Sequence, residues 1–249
     1  MAGAALLGRL NWQLADLVEV VEETPRVRSL VLRSPGWPGH LAGQHVDVRL
    51  TAEDGYQAQR SYSIASAPED PHLVLTVERL EDGEVSPYLF DELRPGDQLE
   101  LRGPIGGYFV WRTSDGGPLL LLAGGSGIVP FRSMLRHHVA TGSSVPVRLL
   151  YSSRSFKDLI YRDELTRLDA DPNMDVFYTL TREWPEDWKG HRRRIDQELL
   201  REISWATADR PLIYVCGSTP FVERAADSLV AIGHEAERIK TERFGPTGI

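Results

Sequence analysis

The hydrophobic positions in the first half of the chain recur in short runs that alternate with polar residues. Turn residues such as Pro25 and Asp54-Gly55 separate these runs. Such spacing predicts an antiparallel β-barrel of Greek-key type between Gln13 and about Trp111. A helical segment interrupts it at Pro87 to Leu93, with Ser86 predicted as the N-cap. The strand runs read LVEVVEE, VRSLVLRS, HVDVRLTA, YSIASA, LVLTVERL and DQLELRG.

The second half has a different pattern, in which continuous apolar runs alternate with longer amphipathic segments. The apolar runs are LLLLA, VRLLYSS, DVFYTLT and LIYVCG, and the amphipathic segments include VPFRSMLRHHVA, IYRDELTRLDA and FVERAADSLVAIG. This alternation predicts a doubly wound parallel α/β sheet, which binds ligands at the carboxyl ends of its strands. The change of pattern falls at Thr113 to Pro118, so we predict two domains, residues 1–115 and residues 116–249.

Composition and charge exclude several classes of function. The 249 residues include 28 basic and 36 acidic ones, a net charge of −8, and the basic residues form no continuous stripe. Nucleic acid is therefore not an expected partner. The single cysteine, Cys216, cannot form an internal disulfide or ligate an iron–sulfur cluster by itself. The histidines show no metal-ligand spacing, and no G-x-S-x-G nucleophile motif occurs, so neither a metal nor hydrolase chemistry is expected.

The chain has no apolar run of membrane-spanning length. The apolar stretch Ala2 to Leu7 is too short for the core of a signal peptide. We therefore expect a cytoplasmic protein without a membrane span, and a monomer.

A candidate flavin site begins with Arg60-Ser61-Tyr62-Ser63, which is predicted to open a strand. Alternation places Arg60 and Tyr62 on one face of that strand. A guanidinium can chelate a pyrophosphate, and a phenol ring can cover an isoalloxazine. An edge strand with an exposed arginine and a half-buried tyrosine would leave the same pattern.

A second candidate element is Gly83-Glu84-Val85-Ser86, which leads directly into the predicted helix. Glycine and a hydroxyl at a helix N-terminus suit a phosphate, because free backbone N–H groups point at it. A simply capped helix is the alternative interpretation.

The ordered motifs RSYSIASAP, VERLEDGEVSPYL and LRGPIGGYF resemble the FAD-binding barrel of the ferredoxin–NADP reductase superfamily, and the resemblance continues to the C-terminus. It implies that Arg60 binds the FAD pyrophosphate, that Tyr62 stacks on the isoalloxazine and that Ser63 lies near flavin N5. Gly103, Pro104, Gly106 and Phe109 match a structural turn. The further FAD-binding residues that it implies are Ser61, Val77, Arg79, Gly83, Val85 and Ser86.

The run Gly124-Gly125-Ser126-Gly127 follows an apolar strand and precedes a helix, as a pyrophosphate-binding loop does. It is not the G-x-G-x-x-G fingerprint of a standard NAD dehydrogenase. It resembles the pyridine-nucleotide loop of the same superfamily, which implies that Ser126 lies near both cofactors.

The residues after the next strands bear on the choice between NADPH and NADH. An acidic residue there would favour NAD, and VRLLYSS ends without one. Thr181-Arg182 resembles the hydroxyl and arginine pair that binds the NADP 2′-phosphate in this superfamily, and Arg192 and Arg193 would add to that clamp. Solvated loop arginines are the alternative, so NADP is favoured while NAD stays open.

Cys216-Gly217 is predicted to end the LIYVCG strand, and it resembles the family's Cys-Gly-Pro element with Ser218 in place of the proline. The resemblance implies that Cys216 and Gly217 contact the nicotinamide. Phe244 would cover the flavin face opposite Tyr62, or else pack in the core, and Glu242 would orient a proton or the nicotinamide amide. The predicted catalytic residues are Ser63, Cys216 and Glu242.

The resemblance implies an FAD-dependent NAD(P)H oxidoreductase of the ferredoxin reductase type, standing alone without a fused ferredoxin domain. It would take hydride from NAD(P)H and pass electrons to a separate ferredoxin or oxygenase component. Three alternatives are a flavin reductase or diaphorase acting on free flavin or quinone, an electron-transfer subunit of a larger complex, and a non-catalytic NADP-binding sensor.

Overall fold

The computed structural model describes residues 10–245 and contains two β-sheets. The stretch Ala2 to Leu7 lies outside the described residues. Among residues 10–245 no helix combines the length and the apolar character needed to cross a bilayer.

The first sheet is antiparallel and has six strands in the order β4-β3-β6-β1-β2-β5. An isolated bridge between Ile64 and Leu75 joins its two edges, which closes the sheet into the predicted barrel. Alternate residues point inward, so Leu30 and Leu32 of β2 and Val46 and Val48 of β3 share one core. The strands are β1 (Gln13–Thr24), β2 (Val27–Arg33), β3 (His45–Thr51), β4 (Gln57–Ser63), β5 (Leu73–Glu78) and β6 (Gln98–Ile105).

Two local predictions in the barrel are wrong. Arg60-Ser61-Tyr62-Ser63 ends strand β4 and does not open it, because β4 pairs with β3 from Gln57 onward. The predicted helical segment is present, as a π-helical turn over Tyr88–Glu92, but the predicted cap is wrong because the Ser86 side chain makes no capping hydrogen bond. The Ser86 hydroxyl instead accepts a hydrogen bond from the Leu80 N–H at 3.1 Å, which folds the preceding loop back on itself.

The second sheet is parallel and has five strands in the order β11-β10-β7-β8-β9, with helices on both faces. The run LLLLA is apolar throughout because both faces of strand β7 are buried. Leu119 and Leu121 enter one hydrophobic core, and Leu120 and Leu122 enter the other. This confirms the predicted doubly wound fold. Its elements are β7 (Leu119–Gly124), α1 (Ile128–Ala140), β8 (Val147–Ser153), α2 (Arg162–Leu168), β9 (Met174–Leu180), α3 (Gln197–Ile203), β10 (Leu212–Ser218), α4 (Thr219–Ala231) and β11 (Ile239–Phe244).

The sequence patterns do not predict two of these elements, α3 and β11. Helix α3 has a detectable start signal, since the Asp196 side chain accepts a hydrogen bond from the Leu199 N–H at 2.9 Å. Strand β11 is short and mostly polar, and its pairing with β10 defines it more than its own pattern does.

The barrel packs against the face of the parallel sheet that carries α1. Ala65, Phe109 and Trp111 from the barrel side join one hydrophobic cluster with Phe131 and Met134 of α1. The strand order of the parallel sheet reverses between β7 and β10, and the crevice at such a reversal is where doubly wound folds bind nucleotides.

Candidate functional site

Glycines let the loops after β7 and β10 touch at the reversal point. A Cβ atom on Gly127 would lie 2.1 Å from the carbonyl oxygen of Cys216, and one on Gly217 would lie 3.2 Å from the Cα of Gly124. A side chain at Gly127 would therefore push the two loops apart. The close contact of the loops is the physical reason for glycine in GGSG and in VCGS.

Two helices begin at this crevice. The loop Gly125–Gly127 forms one 3₁₀ turn, after which α1 starts at Ile128, while α4 starts at Thr219 directly after β10. Their N-terminal N–H groups and helix dipoles favour an anion there. Ser126 lies in the 3₁₀ turn before α1 and is half-buried. The crevice therefore fits a dinucleotide pyrophosphate.

Cys216 and Glu242 are neighbours in the register of β10 and β11. Cys216 is fully buried, and this burial, with Glu242 nearby, raises the pKa of the thiol well above its ordinary value. The group therefore stays a thiol and is not a nucleophile, and any contact of Cys216 with the nicotinamide must use its main chain.

Glu242 has an unusual environment for a carboxyl group. Its Oε2 atom is buried and has no hydrogen-bond partner within residues 10–245. Burial raises the pKa of Glu242 from 4.5 to about 7. A buried polar atom without a partner next to a nucleotide crevice indicates that a ligand group supplies the partner.

On the barrel side, the structure brings the two candidate flavin motifs together. The Arg60 guanidinium donates to the Glu84 carboxylate at 2.8 Å, and the Tyr56 hydroxyl donates to the same carboxylate at 2.9 Å. Arg60 and Glu84 are each about half exposed. Since an exposed ion pair of this kind contributes little to stability, the guanidinium is available to an incoming pyrophosphate.

Tyr62, Ser63 and Ser61 differ in what they offer to a ligand. The Tyr62 ring packs against the barrel core, and burial raises the pKa of its phenol, so the ring stays neutral. Ser63 is half-buried at the end of β4. The Ser61 hydroxyl donates to Asp47 at 2.7 Å, an engagement that argues against a direct contact between this side chain and FAD.

The side chains of Val77 and Val85 are fully buried in the barrel core. Any contact of these two residues with FAD must therefore use the main chain. The Arg79 guanidinium donates to Asp91 at 2.8 Å, beside the π-helical turn. A Cβ atom on Gly83 would lie 2.8 Å from the Ser86 Oγ, so glycine there allows the loop to fold over the hydroxyl.

The candidate 2′-phosphate residues lie on two loops that are joined by main-chain hydrogen bonds. The N–H groups of Thr181 and Arg182 donate to the carbonyls of Ser153 and Arg154 at 3.0 and 2.9 Å. This places the exposed arginines Arg154 and Arg182 side by side. Arg154 was not among the predicted site residues, although its position immediately after β8 is a signal for it.

The two later arginines of the predicted clamp differ in their partners. Arg193 donates to both Asp196 and Glu198 at the start of α3, so it would have to release two carboxylates to bind a phosphate, whereas Arg60 would release one. Arg192 stacks over the Trp184 ring at 5.6 Å and stays exposed.

Phe244 ends β11 beside Ser218 of β10. It packs against the hydrophobic cluster at the interface with the barrel while staying partly exposed. Packing and a flavin-facing role are therefore compatible for this ring.

An antiparallel barrel joined to a parallel sheet with a glycine-lined crevice defines a class of two-domain dinucleotide-binding oxidoreductases. Comparison with known protein families agrees with this class. The family model of the oxidoreductase FAD-binding domain matches residues 15–110, and the family model of the oxidoreductase NAD-binding domain matches residues 121–227. Ferredoxin–NADP reductase B of Sorangium cellulosum is 37% identical over 239 residues, which cover 92% of this chain and 96% of that protein. The chain belongs to the ferredoxin–NADP reductase superfamily of FAD-dependent NAD(P)H oxidoreductases.

Other relatives are longer than this chain. The glycine betaine monooxygenase reductase subunit of Pseudomonas aeruginosa is 33% identical over 94% of this chain, which spans 64% of that subunit. Among solved structures, the FAD/NAD-binding domain of Vibrio cholerae nitric oxide dioxygenase superposes with a TM-score of 0.83 at 26% identity, covering 94% of this chain and 99% of that one.

Proposed function

We propose that this chain takes hydride from NADPH through a bound FAD and passes the electrons to a separate iron–sulfur protein or oxygenase component. The meeting of the β7 glycine loop, Cys216-Gly217 and the buried Glu242 carboxyl at one crevice carries this proposal. The names of the relatives, a ferredoxin–NADP reductase and a monooxygenase reductase subunit, support the choice of acceptor.

The residues that would hold FAD lie at the open end of the barrel. Arg60 would exchange Glu84 for the pyrophosphate, while main-chain N–H groups of Glu84 to Ser86 would bind its oxygens; the Gly83 N–H donates to the Leu80 carbonyl instead. The neutral Tyr62 ring would cover one face of the isoalloxazine, and Phe244 the other. FAD itself supplies the capacity to accept two electrons together and to release them one at a time.

The residues of the crevice would then position the nicotinamide. Gly124 to Gly127 would hold the NADPH pyrophosphate at the start of α1, and Cys216-Gly217 would form a close wall for the nicotinamide ring. The Ser63 hydroxyl would donate a hydrogen bond near the site that receives the hydride. Glu242 would hold a proton or accept a hydrogen bond from the nicotinamide amide, which satisfies its buried Oε2.

We also propose that the protein acts in the cytoplasm as a monomer. Its only cysteine is buried and forms no disulfide, which suits a reducing compartment.

Anaerobic titration with NADPH and with NADH tests the proposed function directly. We expect NADPH to bleach the visible absorption of the bound flavin, and an added iron–sulfur protein to restore it. Absence of bleaching with both nucleotides would contradict the proposal. If free flavin or quinone restores the colour and no iron–sulfur protein does, the activity is that of a diaphorase.

Replacing Arg60 by alanine is expected to weaken FAD binding about tenfold, since it removes a charge-assisted contact with the pyrophosphate and leaves Glu84 to repel it. The dissociation constant is measured by quenching of FAD fluorescence on titration with protein freed of its flavin. Arg33→Ala, which removes an exposed arginine paired with Asp16 elsewhere on the barrel, is the matched control. Equal affinities for both variants and the parent would disprove the role of Arg60.

A further inference from the structure

Tyr161 stands out as the residue before α2 because its backbone has a φ of 59°. This left-handed conformation is costly for a residue with a bulky side chain. Tyr161 is nevertheless only 4% exposed, so its surroundings hold it there. The strained backbone directs the side chain out of the parallel sheet's domain and toward the barrel.

The Tyr161 hydroxyl starts a line of hydrogen bonds that crosses into the barrel. It donates to Thr76 Oγ1 of β5, which lies 2.8 Å from Ser29 Oγ of β2. The Ser29 hydroxyl in turn donates to the Glu23 carboxylate of β1 at 2.6 Å. Each hydroxyl can donate once and accept once along this line, which ends on a carboxylate that only accepts.

Charged side chains enclose the same contact. The Arg132 guanidinium of α1 lies 4.7 Å from the centre of the Tyr161 ring. The same guanidinium donates a hydrogen bond to the Glu164 carboxylate of α2 at 2.8 Å. Arg136 of α1 binds Glu164 at 3.0 Å and both oxygens of Asp70 at 2.8 and 2.9 Å. The chain of hydrogen bonds from Tyr161 to Glu23 therefore lies in a polar part of the interface between the barrel and helices α1 and α2.

We propose that Tyr161 is a positioning residue that fixes the angle between the barrel and the parallel sheet through Thr76. Strand β5 leads directly into the Gly83 to Ser86 loop, so a shift of β5 would move the FAD-binding loop relative to the nicotinamide crevice. This inference rests on the proposed function for its effect on hydride transfer. Its effect on the interface does not depend on that function.

The single cysteine provides a direct reporter of this interface. Cys216 is fully buried in the cluster to which the barrel side contributes Ala65, Phe109 and Trp111. A thiol reagent such as dithiobisnitrobenzoate can therefore label the native FAD-loaded protein only when the interface opens. Because the chain has one cysteine, the signal has no background from other thiols.

Tyr161→Phe removes only the hydroxyl, and we expect Cys216 to be labelled at least about fivefold faster while the denaturant midpoint stays close to that of the parent. Thr76→Val should give a similar increase, and the double variant should add little, since both substitutions break the same hydrogen bond. Tyr178→Phe is the matched control, because the buried Tyr178 hydroxyl has no hydrogen-bond partner in the described part of the chain.

Kinetics separate positioning from a merely structural role. We expect kcat for flavin reduction by NADPH to fall about tenfold in Tyr161→Phe, with KM changing less than about twofold. Unchanged labelling, or an equal increase in Tyr178→Phe, would overturn the inference. So would faster labelling that only follows a loss of global stability. If the parent reduces no flavin, the proposed function fails, and the labelling comparison still decides the role of Tyr161 at the interface.

Discussion

Replacing Glu242 by glutamine should stabilise the protein by about 3 kcal/mol at pH 8 and have little effect at pH 4.5. Burial raises the pKa of Glu242 from 4.5 to about 7, and each unit of pKa difference between the folded and unfolded states corresponds to roughly 1.4 kcal/mol. The folded state binds this proton more tightly than the unfolded state. Stability is therefore lost as the pH rises from about 4.5 to 7, and the full penalty persists above that range.

The measurement is denaturant unfolding of the FAD-loaded parent and variant across pH 4.5 to 9. The exposed Glu223 of α4 provides the control, since Glu223→Gln should leave the difference between low and high pH unchanged. If the parent gains stability relative to Glu242→Gln as the pH rises, Glu242 is stabilised as a carboxylate, and its proposed role as a proton holder is wrong.

Arg182→Ala should reduce the preference for NADPH over NADH about 100-fold, as measured by the ratio of kcat/KM values. Loss of a guanidinium that chelates a phosphate costs about 2.7 kcal/mol when two charge-assisted hydrogen bonds are removed. Arg182 is exposed and lies beside Arg154, and no carboxylate among residues 10–245 pairs with it as Asp196 pairs with Arg193. The loss should fall on NADPH, because NADH lacks the 2′-phosphate.

Two control variants test whether the loss of NADPH preference is specific to Arg182. Arg167→Ala removes an exposed arginine from the last turn of α2 and should leave the preference unchanged. Arg193→Ala should lower stability through the loss of its contacts with Asp196 and Glu198, with no selective effect on NADPH. An unchanged preference in Arg182→Ala, or an equal loss with both nucleotides, would remove the arginine clamp from the proposal.

The sequence by itself determined the fold class and the position of most strands and of three of the four helices. Patterns such as LLLLA depend only on how residues a few positions apart share the faces of a strand, so they can be recognised without a tertiary structure. The glycines of GGSG and VCGS marked the crevice for a different reason, because tight turns and close backbone contacts favour a residue without a side chain. The motif order then identified the family, which the comparisons confirm.

Only the tertiary structure decided which groups meet across long stretches of chain. Arg60 and Glu84 are 24 residues apart, and Tyr161 and Thr76 are 85 apart, yet each pair is in contact. The burial of Glu242 likewise depends on how β11 pairs with β10, since a short polar strand has no strong pattern of its own. The pKa of a carboxyl and the engagement of an arginine depend on such distant neighbours, whereas local periodicity reports only which face a residue occupies.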